Sequence, residues 1–198
     1  KSSARQKSAR ELERRKRRHE ILGLCCAAVG LVLVFALFSY DRRDPSWGTS
    51  SARINVTNWI GPLGANLSST LYQAFGYTAL FLPVIFFASA YWLIRFARIP
   101  FSWIKTTGLV VVLVALTGLL AIIDWSSESS FHWGGWVGHL LVYGEDLGLA
   151  SFLHKIGASI LLVLALITGL MMATPLSLVG LLLQLTEKER EAGLFATF

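Results

Sequence analysis

The chain has 198 residues, 54% of them apolar and only 15% charged, with a formal net charge of +6. Together with a positive mean hydropathy, this excludes an ordinary soluble domain of that length and points to a bilayer. The charge is concentrated rather than spread, since nine of the 18 Lys and Arg residues fall before Glu20.

That first segment, residues 1–20, reads as a basic juxtamembrane helix. Ala9 to Glu20 is predicted helical and continues into the apolar stretch behind it, because no Gly or Pro interrupts before Gly23. Arg14, Arg15, Lys16, Arg17 and Arg18 lie closest to the apolar stretch and read as topology anchors. They also meet anionic lipid, at about 1 kcal/mol per basic residue near the surface. Specific contact with nucleic acid is the weaker alternative, because no aromatic platform accompanies the charges.

A spanning helix needs about 20 predominantly apolar residues, and four stretches supply them. The first runs from Ile21 to Tyr40. It is too long for the apolar region of a signal peptide and no small-residue cleavage site follows, so it is a retained anchor. Within it Gly23, Ala27 and Gly30 allow close approach of another helix. Cys25 and Cys26 are adjacent, which rules out a C-x-x-C redox or zinc pair. They read as small packing residues, with palmitoylation as the alternative.

The loop that follows is roughly 30 residues long and opens on Asp44, Pro45, Ser46 and Trp47. Further along, Gly61, Gly64 and Leu67 form a Gly-x-x-Gly-x-x-Leu pattern. Pro62 suits the first turn of a helix, and Leu63, Leu67 and Leu71 share one face, which predicts a short amphipathic helix at the membrane interface. The second span runs from Ala74 to Ile94 and carries Pro83, where a kink is expected. A third span covers Thr106 to Ile123, with Gly108, Ala115 and Gly118 as small packing residues.

Asp124 closes the third span as a boundary residue or helix cap. The second long loop repeats the glycine pattern at Gly135, Gly138 and Leu141, so the two loops are candidates for distant copies of one unit. Its His132, His139 and His154, with Glu128, Glu145 and Asp146, match no standard ligand spacing, and neither a metal nor a cofactor is expected. The fourth span runs from Ile156 to about Leu176, or to Leu185, with Pro175 as a further kink. Residues 186–198 read as the charged start of a linker.

None of the four spans contains Asp, Glu, Lys, Arg or His. Fourteen of the 18 basic residues lie on the side of the termini and the second-to-third connection, which places both ends in the cytoplasm. All seven tryptophans fall in loops or at span ends, as an interfacial belt requires. The expected fold is thus an all-α membrane protein with four transmembrane helices, both termini cytoplasmic and short amphipathic helices in the two periplasmic loops. The absence of ionisable groups within the spans argues against a transporter or channel subunit, the main functional alternative. A membrane-embedded enzyme would need paired catalytic groups at one depth, and no phosphate-cradling G-x-x-x-x-G-K-[ST] loop is present.

The stretch from Ser39 through Tyr40 to Asp44-Pro-Ser-Trp47 resembles the residues after the first span in the four-helix N-terminal domain of FtsK/SpoIIIE-type bacterial DNA translocases. Asn58 with Gly61, Gly64 and Ala65 is similar to that family's next segment. Phe75-Gly76 and Pro83 match its second span, and Gly134-Gly135, Gly138 and Leu140-Leu141 its second outer loop. The likeness covers roughly Ile21 to Leu185. It implies a membrane anchor at the division septum of the cell inner membrane, carried by a longer protein whose motor and DNA-reading domains lie elsewhere. It further implies division-septum membrane proteins as partners and a homo-oligomer, a hexamer through the motor. ATP and DNA would be bound only by those other domains. If the domain oligomerises with the motor, the small-residue faces of the first and third spans are candidate contacts, and Asp44 to Trp47 with Gly61, Gly64, Gly135 and Gly138 are the candidate interaction site.

Overall fold

A computed structural model describes residues 2–47, 55–96, 102–124, 133–144 and 148–174. Every regular element among them is helical. Helix α1 (Ser2–Phe38) runs unbroken from the basic segment through the first span, and at about 1.5 Å per residue its 37 residues reach about 55 Å. Helix α2 (Pro62–Phe75) leads through a 3₁₀ turn (Gly76–Leu80) into α3 (Phe81–Phe96). Then come α4 (Trp103–Ile123), a short α5 (Gly135–Tyr143) and α6 (Leu149–Ala173).

Four segments, ending in α1, α3, α4 and α6, are long and apolar enough to cross a membrane. They pack as two antiparallel pairs, α1 against α3 and α4 against α6. Helices in lipid gain little from hiding apolar surface against each other, so close packing has to come from small residues. In the first pair Gly23 lies against Ala90 and Ile94, and Gly30 against the Phe86 and Phe87 side chains. In the second, Gly108 meets Gly169, Met172 and Ala173, and Gly118 meets Leu162. The small residues of the first and third spans thus serve helix packing within one chain, as the sequence suggests.

Helices α2 and α5 and the 3₁₀ turn gather at one end of the pairs, called here the loop face; the chain ends leave from the other, the terminal face. Two expectations are corrected at this level. The second span begins in the 3₁₀ turn rather than as a continuous helix from Ala74, and α3 starts at Phe81. Pro83 therefore sits in the first turn of α3, where its missing N–H has no helical partner to lose, and the break lies before it. On α2, Leu63 is exposed, Leu67 and Leu71 are half-buried, and Gly64, Ala65, Ser68, Ser69 and Tyr72 are buried.

The fourth span is helical from Leu149, earlier than expected, with a local break at His154 (φ 53°, ψ 171°). Of the cysteines, Cys25 is exposed and only Cys26 is half-buried, so Cys25 is not a packing residue. Pro175, the continuation to Leu185 and the linker 186–198 lie outside the described residues, as do Arg53, Arg98, Trp125, Glu128, His132, Glu145 and Asp146.

Candidate functional site

A span that ends leaves its last carbonyls without helical donors, and close to hydrocarbon these need partners from elsewhere. At the loop-face end of α1 the following segment provides them. Ser39 turns back so that its hydroxyl donates to the Phe35 carbonyl (2.5 Å). The Asn58 side-chain amide donates to the Ala36 carbonyl (2.9 Å) and the Ser39 carbonyl (3.3 Å). The Tyr72 hydroxyl, from α2, donates to the Leu37 carbonyl (3.3 Å).

Asp44 locks this arrangement. It is buried, and its carboxylate accepts from the Thr57 backbone N–H (2.9 Å), the Thr57 hydroxyl (2.8 Å) and the Asn58 N–H (2.9 Å). The two strands of the loop, 13 and 14 residues apart in sequence at these contacts, are thereby stapled over the end of α1. Asn58 completes the latch by accepting the Ile60 N–H on its Oδ1 (3.0 Å). Gly64 lies so close to the same side chain that a Cβ there would overlap it.

Next to the latch, the Ser46 hydroxyl donates to the Ser69 hydroxyl (3.0 Å), and the Trp47 N–H to the Asn66 side-chain carbonyl (2.7 Å). Both acceptors are on α2. The backbone of the Asp44-to-Trp47 motif is therefore pinned, Pro45 is half-buried, and the Trp47 ring stands out at 90% exposure. Trp59 is also exposed, its ring 6.0 Å from that of Phe35. Tyr40 packs its ring 4.8 Å from Tyr72.

The second loop is built from backbone instead. Asp124 caps α4 and accepts the Trp133 N–H (3.0 Å). Gly134 and Gly138 both lie against the Thr117 carbonyl of α4, where no Cβ fits. Gly135, at φ 64°, touches the Ala74 carbonyl and the Gly76 nitrogen, and Gly76, at φ 59°, faces the Trp133 carbonyl. Across this joint the Tyr77 N–H donates to the Trp133 carbonyl (2.9 Å). The rings of Tyr72, Tyr77 and Trp133 follow one another edge-on at 6.3 Å steps.

The two glycine patterns occupy matching places. Gly61 (φ 75°) and Gly135 (φ 64°) each begin a loop-face helix in a left-handed conformation, and Gly64 and Gly138 each sit where a side chain would collide. Trp59 and Trp133 precede them at the same spacing. They differ in surroundings, because space around Gly61 is open whereas Gly135 is enclosed by backbone. The structure thus brings Asp44, Ser46, Trp47 and Gly64 together on α1 and α2. It puts Gly135 and Gly138 in a separate joint between α2 and α4. Arg14, Arg15, Lys16, Arg17 and Arg18 are exposed along α1, toward the opposite face.

Sequence reasoning passed over Thr57, and noted Ser39 and Asn58 only for their resemblance. Their signal is a cluster of small polar residues at a span boundary, the position where free carbonyls call for donors. Among the described residues no three His, Cys, Asp or Glu side chains stand close enough to hold a metal.

Four apolar helices in two pairs, closed at one end by short helices and devoid of charged side chains in their apolar cores, define a multi-pass α-helical membrane domain of the bacterial inner membrane. Residues 15–186 match the family described as the 4TM region of DNA translocase FtsK/SpoIIIE, and the chain belongs to that family. Among its relatives is the DNA translocase FtsK of Shewanella oneidensis, 30% identical over 164 residues, which are 78% of this chain and 17% of that protein. That of Pseudomonas syringae pv. syringae is 35% identical over 159 residues, 76% of this chain and 19% of that protein. That of Pseudomonas aeruginosa is 32% identical over 106 residues, 50% of this chain and 13% of that protein. The chain thus spans less than a fifth of the length of these curated relatives. The part it matches is their membrane-anchoring region, which is not catalytic. No solved structure matches the chain.

Proposed function

We propose that this chain anchors a DNA translocase in the membrane and targets it to the division septum, where the whole protein couples cell division to chromosome segregation. Both termini then lie in the cytoplasm, residues 1–20 and 186–198 flanking a membrane unit of 21–185, and the loop face is periplasmic. The charge distribution supports this orientation, because the exposed Arg14 to Arg18 run lies toward the terminal face. Tethering a motor beside a closing septum raises its effective concentration where DNA is trapped. Lipid is the partner of the spans, septal membrane proteins are the partners of the loop face, and DNA and ATP are handled by other parts of the protein, which assembles as a homo-oligomer.

One observation carries the recruitment reading: the motif separates into a buried part that builds and an exposed part that is displayed. Asp44 is 3% exposed and Trp47 90%. A rigidly held, exposed aromatic gives large contact area at low entropic cost, the character of an interface hot spot. The test is fluorescence localisation of the full-length protein carrying Trp47→Ala, in dividing cells without the native copy. Retained membrane insertion with loss of septal enrichment is expected. Enrichment equal to that of the unaltered protein would remove Trp47 from the recruiting surface, and uniform labelling by the unaltered protein would refute septum targeting itself.

A further inference from the structure

The four spans are not one bundle. Within each pair, packing extends to the terminal face, with Gly23 against Ile94 in one and Gly108 against Ala173 in the other. Between the pairs the picture is different: among the described residues α1 and α3 make no substantial packing with α4 or α6, and the pairs meet through α2, α5 and the 3₁₀ turn at the loop face. In sequence, α3 leads to α4 through residues 97–102.

The joint itself is made of parts that bend. Gly76 and Gly135 meet backbone to backbone, both at positive φ, with one cross-joint hydrogen bond from the Tyr77 N–H to the Trp133 carbonyl (2.9 Å). The chain passes through it as a 3₁₀ turn, a geometry with weaker hydrogen bonds than an α-helix and one often found at hinges. Inside that turn the Thr78 hydroxyl is buried and has no partner among the described residues. A buried hydroxyl left unpaired is unfavourable.

We propose that the Gly76–Gly135 joint is a pivot. The pair α1/α3 and the pair α4/α6 move as rigid bodies about it, and the terminal face opens and closes while the loop face stays shut. Apolar helices surrounded by lipid have no strong drive to close against each other without small residues at the contact, and the small residues of these spans are spent within the pairs. The resulting motion is a hinge between packed bodies. It links the terminal face, from which both chain ends leave, to the surface of α2 and α5. A change in angle imposed on one is delivered to the other.

The experiment measures spin-label distances in the chain of 198 residues held in lipid nanodiscs, with Cys25→Ser and Cys26→Ser removing the native thiols. Labels at Glu20→Cys and Arg95→Cys report within the first pair. Labels at Glu20→Cys and Met171→Cys report across the pairs at the terminal face, and Gln73→Cys with Leu140→Cys across them at the loop face. The terminal cross-pair distribution is expected to be about twofold broader than the other two, or split into two populations, as a hinge requires. Equal widths for all three overturn the pivot. Broad distributions for both cross-pair measurements also overturn it, since the loop face would then not hold. All three variants leave the joint untouched, so loss of folding does not confuse the result.

Discussion

The two loop-face connections solve one problem by different means. After α1, side chains do the closing: Asp44 gathers Thr57 and Asn58, and Asn58 feeds the free carbonyls of the span. After α4, the backbone does it, with Gly134 and Gly138 pressed on the Thr117 carbonyl and Gly135 on its counterpart Gly76. A side-chain latch ties a loop to its own span. A glycine joint ties one half of the molecule to the other, because bare backbones approach more closely than any pair of side chains. The proposed recruiting surface and the proposed pivot therefore lie in different loop-face connections.

That contrast can be broken most severely at Gly135. Alanine there is strained at φ 64° and places a Cβ 2.5 Å from the Ala74 carbonyl and the Gly76 nitrogen, so Gly135→Ala is expected to lose roughly 3 kcal/mol or more. Gly61→Ala sharpens the point. At φ 75° and ψ −155° its backbone is likewise one that glycine alone enters readily, but the surrounding space is open, and it is expected to lose about 2 kcal/mol, the backbone penalty alone. Thermal unfolding of the two variants in detergent micelles, followed by circular dichroism, reads the difference; similar losses would mean that backbone conformation rather than crowding sets the joint.

Next in size is Asp44→Ala, which orphans the buried Asn58 N–H and the partly buried N–H and hydroxyl of Thr57 and is expected to lose about 2 kcal/mol. Exposure of the buried Tyr72 to aqueous quenchers is expected to increase with it, since the loop is no longer stapled over α1. Asp124→Ala removes a single bond to the Trp133 N–H among the contacts described, with an expected loss of about 1 kcal/mol. A loss at Asp124 as large as that at Asp44 would show the second loop to be latched by side chains after all. The smallest effect is of opposite sign: Thr78→Val keeps the shape and removes the unpaired hydroxyl, so a gain of up to about 1 kcal/mol is expected. The same thermal unfolding series measures it.

Apolar patterning makes the spans legible because a bilayer imposes a fixed length of uninterrupted hydrocarbon, and all four appear where the sequence places them to within a turn or two. The helix over Ala9 to Glu20 and its continuation into α1 follow from unbroken helix formers. Pro62 marks the start of α2 correctly for the same local reason. Pro83 is misread, since a proline kinks a helix only if the helix already runs on both sides of it, and here the helix starts two residues before it. Asp44 was legible as part of a motif and illegible as a buried latch, because its partners lie 13 and 14 residues away across a loop.

By itself, then, the sequence determined the number of spans, their approximate limits, the sidedness of the charge and the family, all of which depend on composition within windows of a single turn to a single span. Tertiary structure alone decided which spans pair and which glycines pack inside a helix pair or at the joint. It also decided that the aspartate of the Asp44-to-Trp47 motif is turned inward while its tryptophan is turned out. Those outcomes depend on carbonyls and small residues meeting across the chain, and local patterning carries no record of the partner that each will find.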